Sequence, residues 1–266
     1  MSQIGPGIQV KGAIPKGGSQ PPRKRIEVIA LIRIMFAYSP RKNSAKLIEL
    51  YSTKNPATIS LSRAQLLEAS HSTPAVDLTF PIIVRPRGSH AGAGLARIDD
   101  TARLERYLAE CAEEEFFISR FIDYSSSDSL FRKYRIVLVD GQPYACHLAI
   151  ADRWDIWYLN AGMSASASKR AEEEAFMRTF DSGFAARHRA ALSGLANRIG
   201  LDYFTIDCAE TKQGSLLIFE ADNTAIVHDM DPPDIFPYKV PQMQKVFAAF
   251  AAMLHLRAGR PIEAAA

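Results

Sequence analysis

Four oxygen-donor side chains, Asp207, Glu220, Asp222 and Asn223, lie within one stretch, LDYFTIDCAETKQGSLLIFEADN, residues 201–223. The stretch reads as two strands, 203–208 and 216–220, joined by a tight polar turn ending in Gly214. With a two- or four-residue loop centred on Lys212-Gln213, Asp207 lies opposite Ile218. Asp207 and Glu220 are then diagonal neighbours on one sheet face, ~7–8 Å apart. A three-residue loop reverses that parity. Two carboxylates on one face of apolar strands repel each other unless something positive lies between them. Hard oxygen ligands of this kind suit magnesium held together with substrate phosphates. Carboxylates that end their strands in solvent are the simpler reading for either residue alone; for the set, a metal site is the expectation.

A metal–phosphate site needs a phosphate cradle, and FPIIVRPRGSHAGAGLARIDD, residues 80–100, offers one. Strands are expected at 82–85 and 95–98, with Gly88, Ser89, His90, Gly92 and Gly94 in the loop between them. Glycines let a backbone bend tightly and turn its amides toward an anion. Arg85 presents a permanent positive charge at the strand's end. No GK[ST] follows, so this is not a Walker A loop, and it runs into a strand where a dinucleotide fingerprint would open a helix. Taken alone, a glycine-rich hairpin serves equally well as a plain connector. A second source of positive charge is FRKYRIVLV, 131–139, whose alternation puts Lys133 and Arg135 on one face and Tyr134 and Ile136 on the other. Such a pair either faces solvent or meets an outer phosphate.

These residues need a scaffold, and the chain has the composition of one. It has 266 residues, of which 47% are hydrophobic and 23% charged, enough for two compact units around a substantial core. Residues 1–46 hold nine Lys/Arg and one acidic residue, Glu27, whereas the rest carries 23 Lys/Arg against 28 Asp/Glu. The basicity therefore belongs to a leader, 1–25, rich in Gly, Pro, Lys and Arg and expected to be disordered. The apolar run 26–38 is too short for a ~20-residue membrane span and contains Glu27 and Arg33, so a core strand or short helix is expected. Cys111, Cys146 and Cys208 form no CxxC pair, which leaves no disulfide framework or zinc signature and fits a reducing, cytoplasmic setting. Helices are expected at 44–51, 62–69, from Asp99 or Asp100 to 112, at 169–180, 184–199 and 240–257. A strand is expected at 114–124, a hairpin about Asp140-Gly141, and a short strand in 154–163 with Asn160. Trp154 and Trp157 line a pocket or pack on the sheet, and Arg187, His188 and Arg189 form a solvated stripe. His228, in a proline-rich loop, is a substrate contact, a general base or a hydrogen-bonded loop residue.

In order, the chain shows IIVRPRGSHAGAG, ISRFID, FRKYR, and Asp207 followed by Phe219-Glu220-Ala221-Asp222. That order resembles the ATP-grasp superfamily over about residues 80–258. The resemblance implies an α+β fold of two α/β lobes with largely antiparallel sheets gripping a nucleotide. It divides the chain into a leader 1–25, a reduced N-terminal segment 26–80, a small lobe 81–124 and a large lobe 125–258. It implies ATP and Mg2+ as cofactors, and ligation of a carboxylate to an amine or thiol through an acyl-phosphate. On this resemblance Arg85, Gly88, Ser89, His90, Gly92, Gly94, Arg120, Phe121, Ile122 and Asp128 contact the nucleotide. Asp207, Glu220, Asp222 and Asn223 hold metal, Arg135 and Lys133 serve catalysis, and Asn160 stands near substrate. Three departures matter. Asp222 stands where the family has Asn, with Asn223 as a substitute; Arg120 replaces an acidic adenine contact; and the N-terminal domain is shortened, so a protein partner is expected to supply it. Neither a membrane nor nucleic acid is expected as a partner, and a homodimer is left open. The alternatives are a non-catalytic nucleotide-binding module of a larger assembly and a metal-dependent phosphohydrolase.

Overall fold

The computed structural model describes residues 29–30, 34–35, 58–71, 78–89, 92–225, 227 and 231–259. The basic leader, the helix expected at 44–51, His90 and His228 lie outside the described residues.

Two sheets carry the fold, and each has its own core. The smaller contains β3 (Ile59–Ser62), β4 (Ile82–Pro86), β5 (Ala96–Ile98) and β6 (Glu115–Arg120), ordered β3-β6-β4-β5 with every pair antiparallel. Alternation along β4 divides its labour. Ile82 and Val84 enter the lobe's core with Leu66, Ile98, Leu104, Leu108, Phe116 and Ile118, while Ile83 and Arg85 face a cleft. Helices α1 (Arg63–His71) and α2 (Thr101–Glu110) accompany this sheet. Asp100 caps α2 by accepting from the Arg103 amide at 2.7 Å, satisfying one of the amides a helix start leaves open.

The larger sheet contains β1 (Ile29–Ala30), β2 (Ile34–Met35), β7 (Phe131–Val139), β8 (Gln142–Ala151), β9 (Tyr203–Glu210) and β10 (Leu216–Asp222). Its order is β1-β10-β9-β7-β8, with β2 also on β10; β1 and β2 run parallel to β10 and the other pairs are antiparallel. The apolar run expected as a strand or helix thus contributes two short strands. The β7–β8 hairpin turns at Asp140 and Gly141, both at positive φ (50° and 76°), the backbone hand that matches strand twist.

Helices cover both faces of this sheet. Tyr134, Ile136 and Leu138 pack with α3 (Ala167–Arg178), α4 (Phe184–Arg187) and α5 (Arg189–Ile199). On the other face Val137, Val139 and Cys146 meet Met243, Val246 and Met253 of α6 (Lys239–Arg257). Each fully buried side chain such as Ile136 or Ile206 contributes about 1.5–3 kcal/mol. The single helix expected over 184–199 is broken at His188. That histidine is no part of a solvated stripe: it is 5% exposed, and its Nε2 lies 2.7 Å from Glu210 Oε1. Nor does 154–163 hold a strand; a 3₁₀ turn at Tyr158–Asn160 stands there. The apolar stripe expected on the last helix is split, since Phe247 and Leu254 are exposed.

The glycine hairpin closes tightly. Gly94 sits at φ +67°, and a Cβ there would come within 2.6 Å of Pro86 Cγ; Gly92, at φ +77°, has open space around it. Gly94→Ala should therefore destabilise the fold by about 1–3 kcal/mol, more than Gly92→Ala, in chemical denaturation. Equal losses for the two would mean that closure on Pro86 is not a constraint.

Candidate functional site

The pairing of β9 with β10 decides where the carboxylates point. Thr211 N–H donates to Ser215 O at 2.9 Å and Gly214 N–H to Thr211 O at 2.8 Å, which closes a loop of three residues, 212–214. That odd loop sets Ile218 opposite Cys208, not Asp207, a parity that would turn Glu220 away from Asp207. The strand then slips by one residue. Phe219 is the extra residue of a bulge, and the register resumes as Glu220 opposite Asp207 and Asp222 opposite Thr205. Asp207 and Glu220 are consequently direct cross-strand partners, closer than the diagonal expected from the sequence. The bulge also brings Phe219 and Glu220 to the same cleft as Leu217 and Asp222.

Asp207 anchors the site electrostatically. Only 5% exposed, it accepts from Arg135 Nε at 2.7 Å and Nη2 at 3.0 Å, and from Lys133 Nζ at 3.0 Å. The β7–β9 register sets Arg135 directly opposite Asp207 and so builds this pair. Burial alone would raise the carboxyl's pKa, but Lys133 and Arg135 outweigh it and hold it well below its ordinary value of 3.8.

Around this cluster opens a cleft of ≈610 Å³ between the two sheets, within the range of small-molecule sites. Ile83, Arg85, Gly92 and Leu95 line it from the small lobe, and Lys133, Arg135, Asp207, Leu217, Glu220 and Asp222 from the large one. The connector supplies Arg120, Phe121 and Ile122, the segment expected at the hinge. Phe121 is fixed there, with the Arg97 guanidinium 4.3 Å from its ring centroid and Trp154 edge-on at 5.8 Å. Trp154, Trp157 and Asn160 also line the cleft.

Other expected residues stand elsewhere. Gly88, Ser89 and Gly94 shape the hairpin without lining the cleft, and Asn223 lies past the end of β10, its Oδ1 buried without a hydrogen bond. Asp128 is also outside the lining. It takes Arg132 bidentately at 2.8 and 3.0 Å and the Leu130 amide at 3.0 Å, so its work is to hold a turn. Asp222 Oδ1 accepts from Thr224 N at 2.7 Å and Oγ1 at 2.8 Å, which fixes one of its two oxygens.

Sequence reasoning missed a polar network beside the cleft. Lys239, 3% exposed, pairs with Asp231 at 2.7 Å and Glu173 at 3.1 Å and donates to the Tyr158 hydroxyl. Glu173, fully buried, accepts from Tyr238 at 2.7 Å and from the Leu148 amide of edge strand β8 at 3.0 Å. Burial raises its pKa against the pull of Lys239. His147 packs against Tyr158 with ring planes tilted by 31° and centroids 4.4 Å apart, and its Nε2 is buried without a partner. Burial, then the Arg135 charge, drive the His147 pKa well down, so the ring is neutral. The local signal for this group was slight: His147 stands inside the apolar run ACHLAIA, whereas Glu173, Asp231 and Lys239 lie among charged or proline-flanked residues.

Asp207→Asn leaves two cations facing a neutral amide, which should cost about 3–5 kcal/mol near neutral pH. Because the folded pKa is depressed, the carboxylate's stabilisation is complete above about pH 4 and declines as pH falls toward the folded value. Urea melts of both proteins at pH 7 and below pH 4 should show the gap narrowing in acid. A gap that widens in acid would contradict the assignment.

No protein-family model matches the chain, and no curated protein matches it. Among solved structures it is similar to VanG D-Ala:D-Ser ligase from Enterococcus faecalis, at 14% identity over 77% of this chain and 59% of that one, TM-score 0.43. It is similar to a RimK domain ATP-grasp protein from Sphaerobacter thermophilus, at 13% identity over 79% and 64%, TM-score 0.42. It is also similar to D-alanine–D-alanine ligase from Bacillus anthracis complexed with ATP, at 13% identity over 82% and 65%, TM-score 0.42. The chain spans 59–65% of the length of these structures.

Proposed function

We propose that this chain binds ATP in the cleft between its two sheets and joins a carboxylate to an amine through an acyl-phosphate. The observation that carries the reading is the composition of the two cleft walls. Gly92 of the hairpin loop stands with Arg85 on one side, and Lys133, Arg135 and an acidic strand pair stand on the other. Ile83, Leu95, Ile122 and Leu217 offer an apolar slot for a base, while Arg85 and the Gly92 backbone suit phosphates.

Asp207, Glu220 and Asp222 line the same wall, and their carboxylate oxygens are hard donors of the kind magnesium takes. Among the described residues no three His, Cys, Asp or Glu side chains form a ligand set by themselves, so an ion there would need phosphate oxygens and water to complete its shell. Bound there, magnesium would supply neutralisation of phosphate charge. Lys133 and Arg135 would exchange Asp207 for phosphate oxygens, releasing carboxylate lone pairs as they do so.

In the reaction a carboxylate oxygen attacks the γ-phosphorus, the bond to the β–γ bridging oxygen breaks, and ADP leaves. An amine then attacks the acyl carbon, phosphate departs, and the nitrogen gives up a proton. The chain's task is to position these groups and hold the developing charge. A protein partner on the acceptor side belongs to this proposal.

A second reading, a nucleotide-binding module without turnover, draws support from Asp207 being fully engaged by cations. Arg135→Ala separates the two. In a ligase, single-turnover ADP release with a panel of small acids and amines should fall roughly 10²–10³-fold, with a much smaller loss in ATP affinity by calorimetry. Arg85→Ala should weaken ATP binding under both readings. Equal losses of affinity and turnover for Arg135→Ala would remove the arginine from the chemistry.

A further inference from the structure

Beside the nucleotide cleft lies a smaller cavity of ≈170 Å³, lined by Lys133, Arg135, His147, Tyr158, Asp231 and Lys239, with Cys146, Met243, Trp157 and Leu159 completing it. Lys133 and Arg135 form the common wall, since both also line the larger cleft. A cavity of ~150 Å³ takes a molecule the size of benzene, so this one suits about six to ten non-hydrogen atoms. It cannot hold a nucleotide or a peptide of several residues.

Its chemistry is that of an anion site. Three cations and one carboxylate reach its surface, while the carboxylates that balance them from behind, Asp207 and Glu173, are outside its lining. Asp231 is engaged by Lys239 at 2.7 Å. The buried His147 Nε2, in contrast, has no hydrogen-bond partner, an unfavourable state that a ligand oxygen or hydroxyl would relieve. Cys146 is no competing nucleophile, because burial pushes its thiol up to about 12.

We propose that this cavity is the subsite of the acid substrate, a compact carboxylic acid whose carboxylate lies against Lys133 and Arg135 and whose body meets His147 and Met243. This rests on the ligase reading above and adds the size and charge of the acid. The shared wall would put the acid's carboxylate beside the outermost phosphate. His147 is then a binding group, donating or accepting at Nε2 while its ring stays neutral.

The test needs no nucleotide, so it stands apart from the ATP reading. Saturation-transfer NMR and calorimetry with acetate, succinate, citrate and the uncharged acetamide as probes read occupancy directly. Acetate or succinate should bind saturably, whereas acetamide and the bulkier citrate should not. His147→Phe keeps the ring's approximate volume and should weaken binding at least tenfold. Leu159, 72% exposed at the rim, permits a second variant that does not burden the core. Leu159→Asp should weaken binding about three- to fivefold by charge repulsion, and Leu159→Lys should not weaken it. Absence of saturable binding by every probe, preference for acetamide or citrate, or affinity unmoved by His147→Phe and Leu159→Asp would overturn the assignment. A protein that binds the acids but not ATP would keep the subsite and lose the ligase.

Discussion

A buried carboxylate cannot stand alone in an apolar sheet, and Asp207 is governed by that constraint. Its charge survives burial because Lys133 and Arg135 converge on it from the neighbouring strand. Those two cations lie at the junction of two cavities, so the pair that stabilises the sheet also sets the electrostatics of the site. Removing water from such a pair is expensive, and the Coulombic return depends on geometry. Here the geometry comes from β-pairing: Arg135 is opposite Asp207, and Glu220 is opposite it on the other side. On the proposed reading, a triphosphate entering the cleft would bring oxygens that compete with Asp207 for the same donors, and binding would be an exchange of partners around two fixed cations.

The small lobe meets this centre through its connector. Among the described residues its contacts include Arg97 over Phe121, Phe121 against Trp154, the Tyr124 hydroxyl donating to Trp154 O, and the exposed Lys212–Asp123 pair at 2.6 Å. Exposed ion pairs contribute little, about 0–1 kcal/mol. The apolar cluster of Tyr124, Ala209 and Leu217, with Ile122 and Phe219 against it, secures the connector to the large sheet. The described residues of the glycine hairpin are tied by the Arg87 amide donating to Glu115 O at 2.8 Å, by the Leu95 amide donating to Gly92 O at 3.0 Å, and by the Tyr107 hydroxyl, which donates to Gly94 O at 2.7 Å.

Local signals in the sequence announced the elements well and their mutual placement less well. Asp140-Gly141 specifies its hairpin because both residues tolerate positive φ, and alternation in FRKYRIVLV put Lys133 and Arg135 on one face. The meeting of Asp207 and Glu220 was legible only by accident of two cancelling features. An odd loop reverses the parity, and the Phe219 bulge reverses it again. A bulge has no fixed local code, since it depends on what the strand packs against. His188 was misjudged as part of a solvated stripe for a related reason, and Asp128 shows the same dependence: their partners, Glu210 and Arg132, are chosen by the fold. The Glu173–Lys239–Asp231 network spans residues too far apart in the chain for any spacing rule.

On the proposed reading, one nucleotide touches both walls of the cleft at once. Amide hydrogen exchange with and without ATP and magnesium probes this contact, because protection is read along the whole chain without knowledge of the substrates. Slowed exchange is expected at 92–97 in the small lobe and at 217–222 in the large lobe, together with the connector at 120–122. Protection confined to one lobe, or appearing only on elements remote from Asp207, would contradict it.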